Sequence, residues 1–374
     1  MPRLIIVSHH PVTSRGSLMS PLHVGWITPR EDVRAQAGRW TVDYLFTGDR
    51  GMISQFQRLA ADRETPAILL FAELNSMASW RALAVLALNA VGLKAPQVIY
   101  WHGASMNIRR FAGLEEGSAF SRCRRRLVNA VVRHFTTNSR TYHWAASRIV
   151  KQAIMMFSGA VPERITVVNE ALDLPSYHPV ERSNRPSRQP FKVCGVGDPT
   201  YRKGVDWFVQ VASLFERQAP GAYAFTWYGV AREDLARWNM QWTGRDCLGS
   251  PVVWGGWTDQ LGQMLRQQDA YFLSSREDPF PLAALEALAC DLPVFTFDSS
   301  GTAEILPAEF VARDVEEVMA GIRAYRERMA DYPPGFFRSL AQPHDALPFR
   351  QFTERRLEQI LAVHSSRYPA SVRL

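Results

Sequence analysis

Short apolar runs alternate along this chain with segments whose apolar residues recur at helical spacing. Runs bounded by turn residues predict buried strands, and strands alternating with helices predict a parallel sheet covered on both faces. In the first half, strands are expected at Leu4 to Ser8, Ala67 to Phe71, Gln97 to Trp101, Phe135 to Asn138 and Ile165 to Val168. Helices are expected at Met52 to Ala61, Ala78 to Val91, Arg122 to Arg133 and Arg140 to Phe157. The stretch from His9 to Arg39 has little periodicity and reads as a long functional loop with a short helix at its end.

The second half alternates more clearly. Strands are expected at Phe191 to Val196, Ala224 to Tyr228, Val252 to Trp254, Ala270 to Leu273, Pro293 to Phe297 and, weakly, Phe310-Val311. Helices are expected at Val205 to Gln218, Gln260 to Gln268, Pro281 to Ala289 and Val315 to Arg328. Between the halves, Pro175 to Pro190 is rich in Pro, Arg and Ser and almost without apolar residues, which reads as a linker. The expected domains are therefore residues 1–180 and 181–346, with a final helix in 347–374 that packs back on the first domain.

The length of 374 residues gives each domain room for its own core. The net charge is +7, carried almost wholly by arginine, since Lys94, Lys151, Lys192 and Lys203 are the only lysines. That balance favours anionic partners. Nucleic acid is not expected, because no zinc-finger, RNP or helix-turn-helix pattern stands out. Cys123, Cys194, Cys247 and Cys290 are widely spaced, with no C-x-x-C, as in a reduced cytoplasmic protein. A signal peptide is not expected, since Leu4-Ile5-Ile6-Val7 is short and closely followed by His9-His10, and no apolar run reaches the roughly 18 residues needed to span a bilayer.

Two loops carry candidate chemistry. The first, Gly195-Val196-Gly197-Asp198-Pro199-Thr200-Tyr201-Arg202-Lys203-Gly204, leads from a strand into a helix and bears two cations. Glycines allow close backbone approach to a ligand, and a lysine is a point charge suited to phosphate. The same pattern also suits an ordinary tight strand–helix turn. The second loop, Ser274 to Pro281, leads from a strand into the helix that carries Glu286. Pro281 suits the first turn of a helix, and free N–H groups at a helix start attract anions. Asp278 and Glu286 bracket this turn. An acid on a helix commonly lies on a solvated face, but one beside Leu282 and Leu285 faces burial and needs partners such as sugar hydroxyls.

Together these elements resemble family-four retaining glycosyltransferases of the GT-B fold. The resemblance rests on Arg202-Lys203-Gly204 and on an acid followed, after seven residues, by Glu286 in Leu285-Glu286-Ala287-Leu288-Ala289-Cys290-Asp291-Leu292-Pro293-Val294. The run Ser275 to Pro281, with Ser299-Ser300-Gly301-Thr302-Ala303-Glu304, resembles a bacterial branch that makes surface polysaccharides. It is looser over Tyr100-Trp101-His102-Gly103, Thr136-Thr137-Asn138-Ser139 and Val167 to Asp173, and fades in the first 60 residues.

The resemblance implies an α/β protein of two Rossmann-like domains, their parallel sheets facing a cleft. It implies transfer of a sugar from a nucleotide-sugar co-substrate to a saccharide or lipid-linked saccharide in surface polysaccharide or lipopolysaccharide synthesis. Lys203 would meet the pyrophosphate with Arg202 and Gly197, and Glu286 would hold the ribose hydroxyls. Asp278 or its neighbour Glu277, with the N–H groups from Phe280 through Pro281 to Leu282, would meet the donor sugar and phosphate. His102 would face the cleft near the donor sugar and, with Gly16, stand on the acceptor side, and the catalytic residues would be His102, Asp278, Lys203 and Glu286; taken alone, His102 reads as a strand-end cap. No metal, other cofactor or protein nucleophile is implied, and no D-x-D pair occurs in the chain. The arginines Arg122, Arg124, Arg125 and Arg126 would face either solvent or the anionic inner face of a cell membrane.

The chain departs from the family at three points. Asp278 stands where a Glu is usual, Asp198 stands where an Arg is frequent, and Gly16 is the only candidate for an N-terminal Gly-Gly loop. Trp227, Trp254 and Trp257 lie near strand ends and suit either core packing or a base pocket. Two alternatives follow: a non-catalytic nucleotide-sugar-binding partner subunit, and another GT-B activity such as a nucleotide-sugar epimerase.

Overall fold

A computed structural model of the chain describes residues 1–8, 25–26, 31–36, 38, 40–72, 79–102, 134, 136–179, 190–231, 233 and 249–367. It divides into two units. The first comprises Met1–Ala171 with Ala346–Leu374, and the second comprises Leu172–Asp345.

The first unit runs β1 (Arg3–Ser8), α1 (Glu31–Gln36), β2 (Thr41–Phe46), α2 (Met52–Ala61), β3 (Ala67–Phe71), α3 (Trp80–Leu88), β4 (Gln97–Trp101), β5 (Thr141–Ala145), α4 (Arg148–Ser158) and β6 (Ile165–Val167). Its six strands form one parallel sheet in the order β2-β1-β3-β4-β5-β6. β1, β3 and β4 are buried on both faces, as their unbroken apolar runs require. Met52, Phe56, Ala82, Val85 and Leu86 from the covering helices close one side of this core.

Two expectations need correction here. The strand placed at Phe135 to Asn138 is not formed over its described residues, since Thr136 is helical, Thr137 lies in a turn and Asn138 in a bend, while Phe135 lies outside the described residues. The strand is instead β5, in a stretch expected to be helical, and the helix begins only at Arg148 with Ser147 as its N-cap. The polar members of β5 are satisfied within the sheet: Gln97 Nε2 donates to Thr141 Oγ1 at 2.6 Å, and Trp101 Nε1 donates to His143 Nδ1 at 3.0 Å. Burial holds His143 neutral, pushing its pKa down to about 4.

The second unit runs β7 (Phe191–Val196), α5 (Val205–Gln218), β8 (Tyr223–Tyr228), β9 (Val253–Trp254), α6 (Leu261–Leu265), β10 (Ala270–Leu273), α7 (Leu282–Ala289), β11 (Val294–Phe297), β12 (Val311–Ala312), α8 (Val315–Glu327) and α9 (Phe336–Ala341). Its parallel sheet has the order β12-β11-β10-β7-β8-β9. The order reverses between β7 and β10, which makes that point the crevice where open α/β sheets bind ligands. Phe208 of α5 fills the core beneath it, packed on Phe225, Trp227 and Phe272.

The last helix, α10 (Ala346–Arg367), belongs to the first unit. Arg350 is 5% exposed on it, with its guanidinium 3.3 Å from the Trp26 ring centroid and 2.9 Å from Glu354 Oε1. Glu354 also accepts the Gly38 N–H at 2.7 Å, so this buried pair fixes the segment before β2 to α10.

The segment read as a linker is partly structured. Leu174–Ser176 forms a 3₁₀ turn, and Leu172 to Tyr177 is held by the second unit: the Leu172 N–H donates to His344 O at 3.0 Å and the Leu174 N–H to Asp345 Oδ1 at 3.0 Å. No helix among the described residues is long and apolar enough to cross a membrane.

Candidate functional site

The two chemistry-bearing loops leave the carboxyl ends of β7 and β10, the strands at the switch point. β7 ends in Gly195-Val196 because only a small residue fits there: a Cβ on Gly195 would stand 2.7 Å from the Trp227 ring and 2.9 Å from Phe208. Gly197 follows with φ +142°, and the Lys203 side chain lies across it, 3.3 Å from where a Cβ would be. Tyr201–Lys203 is a 3₁₀ turn capped by Thr200, and Gly204 (φ +64°) turns the chain into α5. A Cβ on Gly204 would come within 2.0 Å of Ser274 O, so the two loops touch backbone to backbone.

This contact brings the charged groups together. Lys203 Nζ lies 2.7 Å from Asp278 Oδ2, and Arg202 NH1 lies 3.4 Å from the same oxygen. Ser275 Oγ donates to it at 3.2 Å. The Asp278 side chain is 7% exposed, against 18% for Lys203 and 34% for Arg202, so the cations form the outer side of the cluster. Of the two candidate acids, Asp278 presents its carboxylate to Lys203, whereas Glu277 offers Arg202 its backbone carbonyl at 3.3 Å. The loop after β11 joins them, Gly301 N–H donating to Asp278 O at 2.9 Å.

Pro281 is not in the first helical turn, as expected, but is the N-cap of α7, with φ −71° and ψ 130°. A proline there leaves the chain extended into the helix, whose first N–H groups have no partner within the helix. Phe280 is buried with its ring 5.2 Å from His344, and Leu282 opens the helix. Glu286 lies on α7, half-buried, and its Oε1 accepts the Tyr177 hydroxyl at 2.6 Å. Burial raises the Glu286 pKa above the usual carboxylate range, and the Tyr177 hydrogen bond opposes that rise.

Arg276 was missed by sequence reasoning. Its guanidinium is sandwiched between the Tyr201 and Trp207 rings, 4.0 and 4.1 Å from their centroids. It pairs bidentately with Asp206, at 2.7 and 2.5 Å, and donates to Tyr201 O at 2.8 Å. Its own N–H donates to Arg202 O at 2.9 Å. One side chain therefore fastens the Lys203 loop to the Asp278 loop. Two flat faces and a fork-shaped pair suit guanidinium, not ammonium. Arg276→Lys should loosen this joint and destabilise the second unit by about 1 kcal/mol. Denaturant unfolding against Arg276→Ala checks this: a lysine variant as stable as the native protein would show that charge alone suffices.

His102 follows β4 in the first unit. Its Nδ1 lies 3.9 Å from Oε1 of the buried Glu170, and its ring is 5.4 Å from Tyr100. Gly16 and Arg122, Arg124, Arg125 and Arg126 lie outside the described residues. Of the three tryptophans, Trp227 is core, donating Nε1–H to Gly197 O at 2.8 Å, while Trp257 is 70% exposed just beyond β9.

Residues 190–327 match the family described as glycosyl transferases group 1. That match lies within the second unit, and the two-sheet architecture is the GT-B fold. The structure is similar to sucrose-phosphate synthase from Thermosynechococcus elongatus, with TM-score 0.66, 15% identity, 97% of this chain and 100% of that one covered. It is similar to Anabaena HepE in complex with UDP, with TM-score 0.63, 14% identity and coverage of 96% and 100%. It is also similar to the lipopolysaccharide outer core galactosyltransferase WaaB, with TM-score 0.60, 13% identity and coverage of 96% and 99%. No curated protein sequence matches the chain.

Proposed function

We propose that the chain is a retaining glycosyltransferase that moves a sugar from a nucleotide-sugar donor to a saccharide or lipid-linked saccharide, in surface polysaccharide or lipopolysaccharide synthesis. The observation that carries this reading is the cluster of Lys203 and Arg202 on Asp278 at the switch point, 2.7 and 3.4 Å from one carboxylate oxygen. Two cations held at a helix start and a Gly-lined loop suit a pyrophosphate, and Glu286 on the same unit suits the ribose hydroxyls. HepE has been crystallised with UDP and with UDP-glucose, and WaaB is a galactosyltransferase of the lipopolysaccharide outer core, which supports this substrate class.

In this reading Lys203, Arg202 and the N–H groups at the start of α7 stabilise the charge that grows on the leaving diphosphate. Fixed charges and dipoles of this kind commonly supply the largest share of a rate enhancement. Gly197 lets the backbone approach the phosphates, and Phe280, Pro281 and Leu282 shape the wall of the sugar site. Asp278, with Glu277 beside it, exchanges its hold on the cations for the donor sugar. The leaving phosphate takes the proton of the acceptor hydroxyl on the face of attack, so no protein nucleophile is assigned. His102 and Gly16 serve the acceptor side. Neutralisation by Lys203 and Arg202 leaves no step that needs a metal ion. The arginines Arg122, Arg124, Arg125 and Arg126 hold the enzyme on the anionic inner face of the cell membrane.

The deciding experiment is calorimetry with a panel of UDP- and GDP-sugars, followed by analysis of the product anomer with the donor that binds. Binding and a retained anomer are expected. A protein that binds none of the panel would overturn the donor-site reading, one that binds a nucleotide sugar but transfers nothing would be the non-catalytic partner, and an inverted anomer would overturn the retaining assignment.

A further inference from the structure

Glu286 has to present its carboxylate in one orientation, ionised, to accept hydroxyl protons from a ligand. Its half-buried place on α7 works against this, because burial favours the neutral acid. Among the described residues, the Tyr177 hydroxyl at 2.6 Å is the group hydrogen-bonded to that carboxylate. The two residues are 109 positions apart, and Tyr177 comes from the stretch that composition marks as linker.

The stretch is not loosely attached. Arg338 NH1 donates to Tyr177 O at 2.7 Å, and its NH2 donates to Leu174 O at 3.2 Å. The same guanidinium donates to Ala289 O at the end of α7, the helix that carries Glu286. Arg338 is itself set by Asp291, whose Oδ1 accepts the Arg338 N–H at 3.1 Å and the Phe337 N–H at 2.9 Å. On its other side the Tyr177 ring rests against α6, where a Cβ on Gly262 would stand 3.5 Å away. Arg338 therefore fixes the tyrosine and the acid to one frame, and the phenol reaches Oε1 from a set direction.

We infer that Tyr177 is the positioning residue of the ribose-binding carboxylate: it engages Oε1 from a clamped strap and leaves the remaining lone pairs of Glu286 for the two hydroxyls of a vicinal diol. A carboxylate has about four acceptor sites, so one phenol bond leaves room for both ligand hydroxyls. The inference rests on the donor-site reading above, and it concerns the part of the ligand that the sugar does not determine.

The test compares UDP and 2′-deoxy-UDP on the native protein, on Tyr177→Phe and on Glu286→Gln, by calorimetry across pH, with thermal unfolding as the check on folding. The native protein should prefer UDP. Tyr177→Phe keeps the ring and its packing, and should bind UDP about tenfold more weakly while its affinity for 2′-deoxy-UDP falls less. The acid limb of UDP binding should move to higher pH, because Glu286 loses the hydrogen bond that favours its ionised form. In the Glu286→Gln background, Tyr177→Phe should add little, since the two changes act on one interaction. Unaltered affinity, diol preference and pH limb in a folded Tyr177→Phe protein would overturn the inference while leaving the donor site standing. A native protein that binds neither UDP nor any other nucleoside diphosphate would overturn the donor site itself, and this role with it.

Discussion

Lys203→Ala should lower transfer from a nucleotide sugar by between about a hundredfold and a thousandfold, the usual cost of removing one group that stabilises developing charge. It should also destabilise the second unit, which a substrate-only contact would not do. Asp278 is 7% exposed and would lose the cation at 2.7 Å, keeping Arg202 at 3.4 Å and Ser275 at 3.2 Å. Stripping one partner from a buried pair costs about 3–5 kcal/mol when nothing else remains. With two partners left, about 1–2 kcal/mol is expected. Removing the stranded charge separates the two effects: Lys203→Ala combined with Asp278→Asn should recover stability and not activity. Denaturant melts and initial rates on the three proteins check it, and a double variant as unstable as the single would show that Asp278 does not depend on Lys203.

Glu286→Gln should behave in the opposite way on stability. Transfer should fall by about a hundredfold, because a neutral amide is a weaker acceptor for the ligand hydroxyls and places a donor where none fits. The fold, however, raises the pKa of Glu286 through burial. A raised carboxylate pKa means that the native state favours the protonated form, so the stability contributed by this group is present below the unfolded pKa and is lost as pH rises through the folded one. At neutral pH the ionised Glu286 is a cost to the fold. The amide keeps the Tyr177 hydroxyl bonded and removes that cost, so the variant should melt at a higher temperature than the native protein at pH 7, with the difference shrinking at acid pH. A variant that is both inactive and less stable would count against a functional role for the burial.

The second unit was legible from sequence because its strands and helices are uniformly patterned. Val205–Gln218 and Ala270–Leu273 fall where periodicity puts them. The first unit hid two strands for different reasons. β2 is an edge strand, largely half-buried, and Thr41-Val42-Asp43-Tyr44 shows no apolar run. β5 places Thr141 and His143 inside the sheet, and nothing local announces that Gln97, Trp101 and Thr136 will satisfy them. Lys203 and Asp278, in loops at strand ends, and Glu286, on the helix after the second loop, drew notice through their likeness to a family motif, and the structure brings Lys203 and Asp278 together. Arg276 and Tyr177 did not, because their meaning depends on partners 70 and 109 residues away. A clamp made by two loops has no local pattern, and a tyrosine in a proline-rich stretch looks like spacer.

The reversal of strand order between β7 and β10 also shapes the life of the newly made chain. The lysine and the aspartate that meet across the crevice are 75 residues apart, and β8 and β9 must be laid down on one side before the chain crosses back to place β10 on the other. Non-local pairing of this kind is slow, since loop closure precedes any reward. During synthesis the lysine loop emerges well before its counter-charge exists, so a growing chain presents an unneutralised basic turn until the crossover is complete. A ligand held by both loops can stabilise only molecules past that point, by mass action on the finished unit. Ligand availability would then act on this protein as a selector of completed chains and leave the rate at which they are completed unchanged.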